Sequence, residues 1–200
     1  MRILSHTSLR IAALLALLAS AGAAQAHTGH GTSSLFEGLA HPLGADHLLA
    51  MLAVGLWSAT TLPAGRVWQG PATFMLALVA SATLGMMGVT VPFLEQLIAL
   101  SVVLFGALLV AGRLQLPASL GLGLVAMAAS LHGLAHGAET PASGFAMYAI
   151  GFLVTTALLH GTGAAAGLGL RRTLARQSTW VLAATGSLLG GAGLYLAAAL

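Results

Sequence analysis

Histidine is unusually frequent in this chain, which has eight histidines among 200 residues that are 58% hydrophobic and only 6% charged. Four of the histidines, with two acidic residues, fall in two short segments, HPLGADH (His41–His47) and HGLAHGAE (His132–Glu139). Imidazole nitrogen together with carboxylate oxygen suits borderline divalent ions such as nickel, cobalt and zinc. The two segments therefore predict a site for a transition-metal ion.

The spacing within each segment places its side chains on a helix. At about 100° per residue, the three ionisable residues of the second segment share one stripe about 60° wide. In the first segment, Pro42 suits the first position of a helix, which puts the Asp-His pair in its second turn. Unpaired acids inside a membrane are costly and usually mark a pathway or a binding site. We predict a metal or proton site from His41, Asp46, His47, His132, His136 and Glu139, and the sequence leaves open which of them touch the ion.

Three further histidines are weaker candidates for metal binding. His160 follows Thr155 and Thr156 in a later apolar stretch, where it would be a second coordination point, a proton acceptor or a hydrogen-bonding partner of a neighbouring helix. His27 and His30 lie near the amino terminus and would either capture metal before it enters or be incidental. The sequence does not choose between these alternatives.

Composition places the chain in a membrane. A soluble domain carries about 25% charged residues, so a chain with 6% must expose most of its surface to lipid. Seven arginines without lysine form no basic cluster, which argues against a nucleic-acid partner. The absence of cysteine excludes disulfides and thiolate ligands. We predict an all-α fold, a polytopic integral membrane helical bundle in the lipid bilayer.

The first 26 residues have the pattern of a cleavable signal peptide. Arg2 and Arg10 precede an apolar run from Ile11 to Ala24, and Ala24-Gln25-Ala26 is a small-x-small cleavage site. An apolar helix of about 14 residues is roughly 21 Å long, which is short for a hydrocarbon core of about 30 Å. An uncleaved first membrane helix is the alternative. We predict a signal peptide over 1–26, a periplasmic segment with histidine over 27–35, and a six-helix permease domain over 36–200.

Arginine predicts how the six helices are oriented. The apolar stretches are 36–60, 70–88, 93–111, 117–137, 143–166 and 179–199. Arg66, Arg113, and the group Arg171, Arg172 and Arg176 fall in alternate connections, and the positive-inside rule makes those connections cytoplasmic. Both termini are then periplasmic in a bacterial inner membrane, in agreement with the signal peptide. The two histidine segments lie near the same outer surface.

Three motifs give the chain a family resemblance. HPLGADHLLAMLAVGLW (His41–Trp57), LHGLAHGAE (Leu131–Glu139) and GFLVTTALLHGTG (Gly151–Gly163) resemble the HupE/UreJ family of nickel/cobalt permeases, in family order. The resemblance implies secondary uptake of Ni²⁺ or Co²⁺ for hydrogenase or urease maturation, and a functional role for His160. The ion is then a transported substrate, and no prosthetic group is expected. Four residues separate His41 from Asp46 where the family form has five, so we expect a displaced His41 unless the backbone compensates.

Other classes of function have less support in the sequence. The HExxH motif of metalloproteases is absent, and we do not expect an enzyme. No GxxxxGK[ST] nucleotide-binding loop is present, which favours secondary transport over ATP-driven pumping. A membrane metal-binding accessory protein that transports nothing is the alternative function. The choice among nickel, cobalt and zinc, a carrier or channel-like mechanism, and the oligomeric state stay open.

Overall fold

The computed structural model describes residues 35–114, 116–140, 144–174 and 178–200. Every regular element in these ranges is a helix, which confirms the all-α prediction. The predicted signal peptide, His27 and His30 lie outside the described residues. The helices are α1 (Leu35–Ala40), α2 (Ala45–Thr61), α3 (Gln69–Met86), α4 (Leu94–Val110), α5 (Ala118–Ala138), α6 (Phe145–Thr173) and α7 (Ser178–Ala199), with 3-10 turns at His41–Leu43, Ala64–Arg66 and Ala111–Leu114.

Several of these helices are long and apolar enough to cross a membrane. Four stretches qualify individually: Ala64–Met86, Ala118–Ala138, Phe145–Thr173 and Ser178–Ala199. The segment Leu35–Leu43 joined to α2 makes a fifth if the bent pair counts as one span. Helix α4 is also apolar but has only 17 residues. The chain is therefore a multi-pass membrane protein, and the crossing of all six predicted stretches stays a prediction.

The first predicted stretch is broken rather than continuous. Its two helical parts meet at an angle of 75°, with the 3-10 turn His41–Leu43 between them. Gly44 has an extended backbone (φ −54°, ψ 144°), so α2 begins only at Ala45. Pro42 consequently lies in the turn instead of opening a long helix, and Asp46 stands in the first turn of α2, not the second.

The fifth predicted stretch is longer than expected. Helix α6 continues seven residues beyond position 166 to Thr173, so Arg171 and Arg172 belong to its last turn and not to a loop. One Arg171 nitrogen, Nη1, donates to the carbonyl oxygens of Ala59 (2.9 Å) and Leu62 (3.4 Å). The last carbonyl groups of a helix lack hydrogen-bond donors within that helix. Arg171 supplies a donor for those at the end of α2.

Close helix pairs hold the histidine-bearing elements in place. Helix α5 packs on α3, α7 packs on α4, and α6 packs on both α1 and α2. A Cβ atom at Gly137 would collide with the carbonyl oxygen of Ala82, and one at Gly163 with that of Leu52. Glycine at these positions lets the helix backbones touch, as small residues do in membrane proteins. The contacts fix α5 against α3, and α6 against α1 and α2.

Candidate metal centre

Three imidazoles meet where the two histidine segments come together. His41, His47 and His136 each offer one ring nitrogen, and the three nitrogens lie within 4.8 Å of one another. His47 and His136 are 0% and 8% exposed, and their Nε2 atoms are 2.7 Å apart. A 3-10 turn, the start of α2 and the last turn of α5 supply one histidine each. This arrangement could hold a metal ion.

The break before α2 brings His41 into the group despite the shortened spacing. The His41 ring centroid lies 4.7 Å from that of His136 and 5.8 Å from that of His47. In an unbroken helix, one missing residue would turn the side chain by about 100°. The 75° bend and the extended Gly44 replace that helical geometry and leave the His41 ring beside those of His136 and His47.

Asp46 orients His47 rather than joining the three nitrogens. Its Oδ1 atom lies 2.7 Å from His47 Nδ1 and also accepts the backbone N–H of His47 at 2.8 Å. An ionised carboxylate only accepts hydrogen bonds, so in the neutral imidazole Nδ1 carries the proton and Nε2 keeps a lone pair. A carboxylate that accepts a hydrogen bond from one ring nitrogen fixes the orientation of a metal-binding histidine and raises the basicity of the other nitrogen.

The distance between the Nε2 atoms of His47 and His136 is close to that between two nitrogens bound to one metal ion. Because Nε2 of His47 has a lone pair, Nε2 of His136 donates the hydrogen bond between them. Two nitrogens bound to one ion at about 2.1 Å and at a right angle lie about 3.0 Å apart. The observed separation of 2.7 Å needs to grow by only a few tenths of an ångström. For both Nε2 atoms to bind one ion, the proton on Nε2 of His136 would have to move to its Nδ1.

His132 lies one turn deeper than this group. Its ring centroid is 4.7 Å from that of His47, and its Nε2 atom is 3.0 Å from Ser101 Oγ. The Ser101 hydroxyl donates to the carbonyl oxygen of Ile98 at 2.6 Å, so Nε2 of His132 is the donor to Ser101. Nδ1 of His132 is left with a lone pair.

Glu139 is not a member of the group whose ligand atoms lie within 4.8 Å of one another. Helix α5 ends at Ala138, and the next residue, Glu139, is exposed. The stripe predicted from about 100° per residue therefore stops before it reaches this side chain. A ligand role for Glu139 stays a prediction.

His160 occupies a separate buried position on α6. It is 1% exposed, and its Nδ1 atom donates to the carbonyl oxygen of Thr156 at 2.8 Å. Its ring centroid lies 4.9 Å from that of Phe74, which in turn lies 5.6 Å from that of His132. Ring contacts through Phe74 thus connect His160 with His132.

Aromatic residues that the sequence analysis did not select line the three-imidazole group. Phe152 lies 4.6 Å from His136 between ring centroids, and Tyr148 lies 5.7 Å from His41. The sequence also gave no indication of Ser101 and Phe74, which both contact His132. A signal was present on α6, where Tyr148, Phe152, Thr156 and His160 recur at every fourth residue. Such spacing marks one face of a helix.

The fold and the imidazole group define a multi-pass membrane protein with a buried candidate metal site, and comparison with known proteins gives its family. The HupE / UreJ protein family model matches residues 15–196. Protein HupE of Rhizobium leguminosarum bv. viciae is 40% identical over 156 residues, which are 77% of this chain and 81% of that protein. No solved structure matches significantly. The chain belongs to the HupE/UreJ family, which is associated with nickel and cobalt transport and with hydrogenase and urease accessory functions.

Proposed function

We propose that this protein is an inner-membrane secondary permease that takes up Ni²⁺, or Co²⁺, for hydrogenase or urease maturation. The observation that carries the proposal is the group of His41, His47 and His136, whose ring nitrogens lie within 4.8 Å. Nitrogen donors of this type bind nickel more tightly than cobalt when the ligands are the same. We therefore propose nickel as the substrate, with cobalt as the alternative.

The proposed direction of transport follows from the distribution of arginine. Six spans with periplasmic termini place the imidazole group near the outer surface, where an arriving ion exchanges part of its water for ring nitrogens. An inside-negative membrane potential favours entry of a divalent ion by about 4.6 kcal/mol per 100 mV, twice the value for a single charge. This driving force suffices for uptake without ATP.

The proposal includes removal of the signal peptide after Ala26. The mature protein would then begin at His27 in the periplasm, with the segment 27–35 ahead of the permease domain, and His27 and His30 would meet the ion first. Amino-terminal sequencing of the purified protein tests this boundary. A sequence starting at His27 supports the proposal, whereas one starting at Met1 contradicts it.

Uptake of radioactive nickel tests the transport function directly. Cells without their own high-affinity nickel uptake would express the wild type, or a variant carrying both His47→Ala and His136→Ala. Ser130→Ala is a matched control, because Ser130 is on the same helix as His136 and, among the residues that the structure describes, its hydroxyl donates only to the carbonyl oxygen of Ala126 at 2.9 Å. We expect uptake in the wild type and the control and at least a tenfold loss in the double variant. Equal uptake in the double variant contradicts the proposed site, and nickel binding without uptake indicates an accessory protein.

A further inference from the structure

Two buried imidazoles outside the three-imidazole group each present an unprotonated nitrogen. Nδ1 of His132 keeps its lone pair because Nε2 donates to Ser101, and Nε2 of His160 keeps its lone pair because Nδ1 donates to the Thr156 carbonyl. Within the described residues, neither nitrogen has a hydrogen-bond partner, and neither does the Thr156 hydroxyl. Buried polar atoms are nearly always satisfied, so these three atoms call for water or an ion.

Phe74 contacts both of these imidazoles. Its side chain is 0% exposed, and its ring centroid lies 5.6 Å from that of His132 and 4.9 Å from that of His160. His132 in turn contacts His47 of the outer group. Ring contacts therefore link the outer imidazoles, His132, Phe74 and His160 in that order.

An open cavity lies beside His160. Its volume is about 490 Å³, and its mostly apolar lining includes His160, Trp68 and Met75. Other lining residues, such as Ala64 and Val67, lie just beyond the end of α2 that is opposite to Asp46 and His47. At about 30 Å³ per water molecule, the cavity has room for an ion with its hydration shell. His160 is thus placed between the buried interior and a space wide enough for a hydrated ion.

We propose that His160, together with the hydroxyl of Thr156 one helical turn before it, forms an inner binding site for a divalent transition-metal ion at the head of this cavity. The inference rests on the proposed transport function and divides the route into two sites, with Phe74 in contact with both His132 and His160. One imidazole supplies one ligand, and water must supply the rest. The inner site therefore binds more weakly than the outer three-imidazole site, which suits release.

Trp68 provides a reporter for this site because it lines the same cavity as His160. Paramagnetic Co²⁺ quenches tryptophan fluorescence at short range, so a titration of the full chain with cobalt chloride reports whether the inner site is occupied. In detergent, the ion can reach this site from both sides of the protein. The Trp68→Phe variant identifies the part of the quenching that belongs to Trp68. Trp180→Phe is the matched control, since Trp180 lies on α7 and does not line the cavity.

Variants of the two sites give opposite expectations for the Trp68 signal. We expect quenching of Trp68 to persist when His47→Gln and His136→Gln are combined, and its midpoint to rise at least tenfold in His160→Gln. Quenching of Trp68 that is absent, that is unchanged by His160→Gln, or that disappears with the outer histidines overturns the inner site. Water or a lipid chain in the cavity would produce the first of these results.

A cavity-filling variant keeps the test informative if His160→Gln does not fold. A Cβ atom at Gly161 meets nothing within 4 Å, and Gly161 lines the cavity, so Gly161→Phe fills it without a clash at Cβ. Gly169→Phe is the control, because its Cβ is equally open on the same helix outside the cavity. We expect only Gly161→Phe to abolish the Trp68 quenching and to lower nickel flux at least tenfold. Normal flux with Gly161→Phe contradicts the inner site but leaves the transport proposal standing. No flux in the wild type contradicts the transport proposal itself.

Discussion

Oδ1 of Asp46 lies 2.7 Å from Nδ1 of His47, on the opposite side of the imidazole ring from the Nε2 atom that faces His136. The carboxylate therefore decides which nitrogen of His47 carries the proton. In Asp46→Asn, the amide oxygen can still accept this hydrogen bond but carries no charge. We expect nickel affinity, measured by isothermal titration calorimetry, to fall by about 10- to 100-fold. An unchanged affinity would mean that Asp46 does not support the metal site.

Gly137 lies one residue after His136 and touches the backbone of α3. In Gly137→Ala the new Cβ would collide with the Ala82 carbonyl oxygen, so α5 must move away from α3. Overpacking of this kind costs about 1–3 kcal/mol, and the shift also moves His136. We expect a lower thermal unfolding temperature in detergent, together with weaker nickel binding.

Gly123→Ala is the matched control on α5. A Cβ atom there meets nothing within 4 Å, and alanine favours a helix over glycine by up to about 1 kcal/mol. This variant should be as stable as the wild type or slightly more stable. If both glycine variants behaved alike, close packing of α5 on α3 would not explain the position of His136.

The helices were largely predictable from the sequence, because a membrane segment must be long, apolar and internally hydrogen-bonded. Helices α3, α4, α5 and α7 begin and end within two residues of the predicted stretches. The break before α2 was not predicted. Pro42 is compatible with the first position of a long helix, and hydropathy does not distinguish that arrangement from a 3-10 turn. The extension of α6 was missed because arginine was assigned to a loop, whereas Arg171 bonds to the end of α2.

The candidate site was predictable only in part. The types and spacing of the residues indicated metal chemistry and placed both histidine segments near one surface. They did not reveal that His41, His47 and His136 form one group while His132 lies deeper, because that depends on the bend and on how α5 packs. The contribution of Phe74 was equally hidden, since an apolar residue in an apolar helix carries no signal of its own.

Arg171 attaches the end of α6 to the end of α2 through the carbonyl oxygens of Ala59 and Leu62. Arg171→Ala leaves these groups to water, and we expect a loss of about 1 kcal/mol in stability, the usual value of a hydrogen bond. Arg172→Ala removes the same charge from the neighbouring position and serves as the control. Thermal unfolding of both variants measures the difference, and equal stability of the two would rule out a capping role for Arg171.

The proposed orientation can be tested with single cysteines, because the chain has none. Met87 follows α3 and is 80% exposed, and a Cβ at Gly65 meets nothing within 4 Å, so both positions tolerate substitution. We expect a membrane-impermeant maleimide to label Met87→Cys in intact spheroplasts and Gly65→Cys only after permeabilisation. The reverse pattern would invert the topology and place the outer imidazole group on the cytoplasmic side.

X-ray absorption at the nickel edge most directly tests whether imidazoles from separate helices bind the ion. The purified protein would be loaded with one equivalent of Ni²⁺, alongside the variants His136→Gln and Ser130→Ala. The account predicts nitrogen ligands at about 2.1 Å with the multiple-scattering pattern of about three imidazoles, one fewer in His136→Gln and no change in Ser130→Ala. A spectrum of oxygen ligands alone, or one that His136→Gln leaves unaltered, would contradict it.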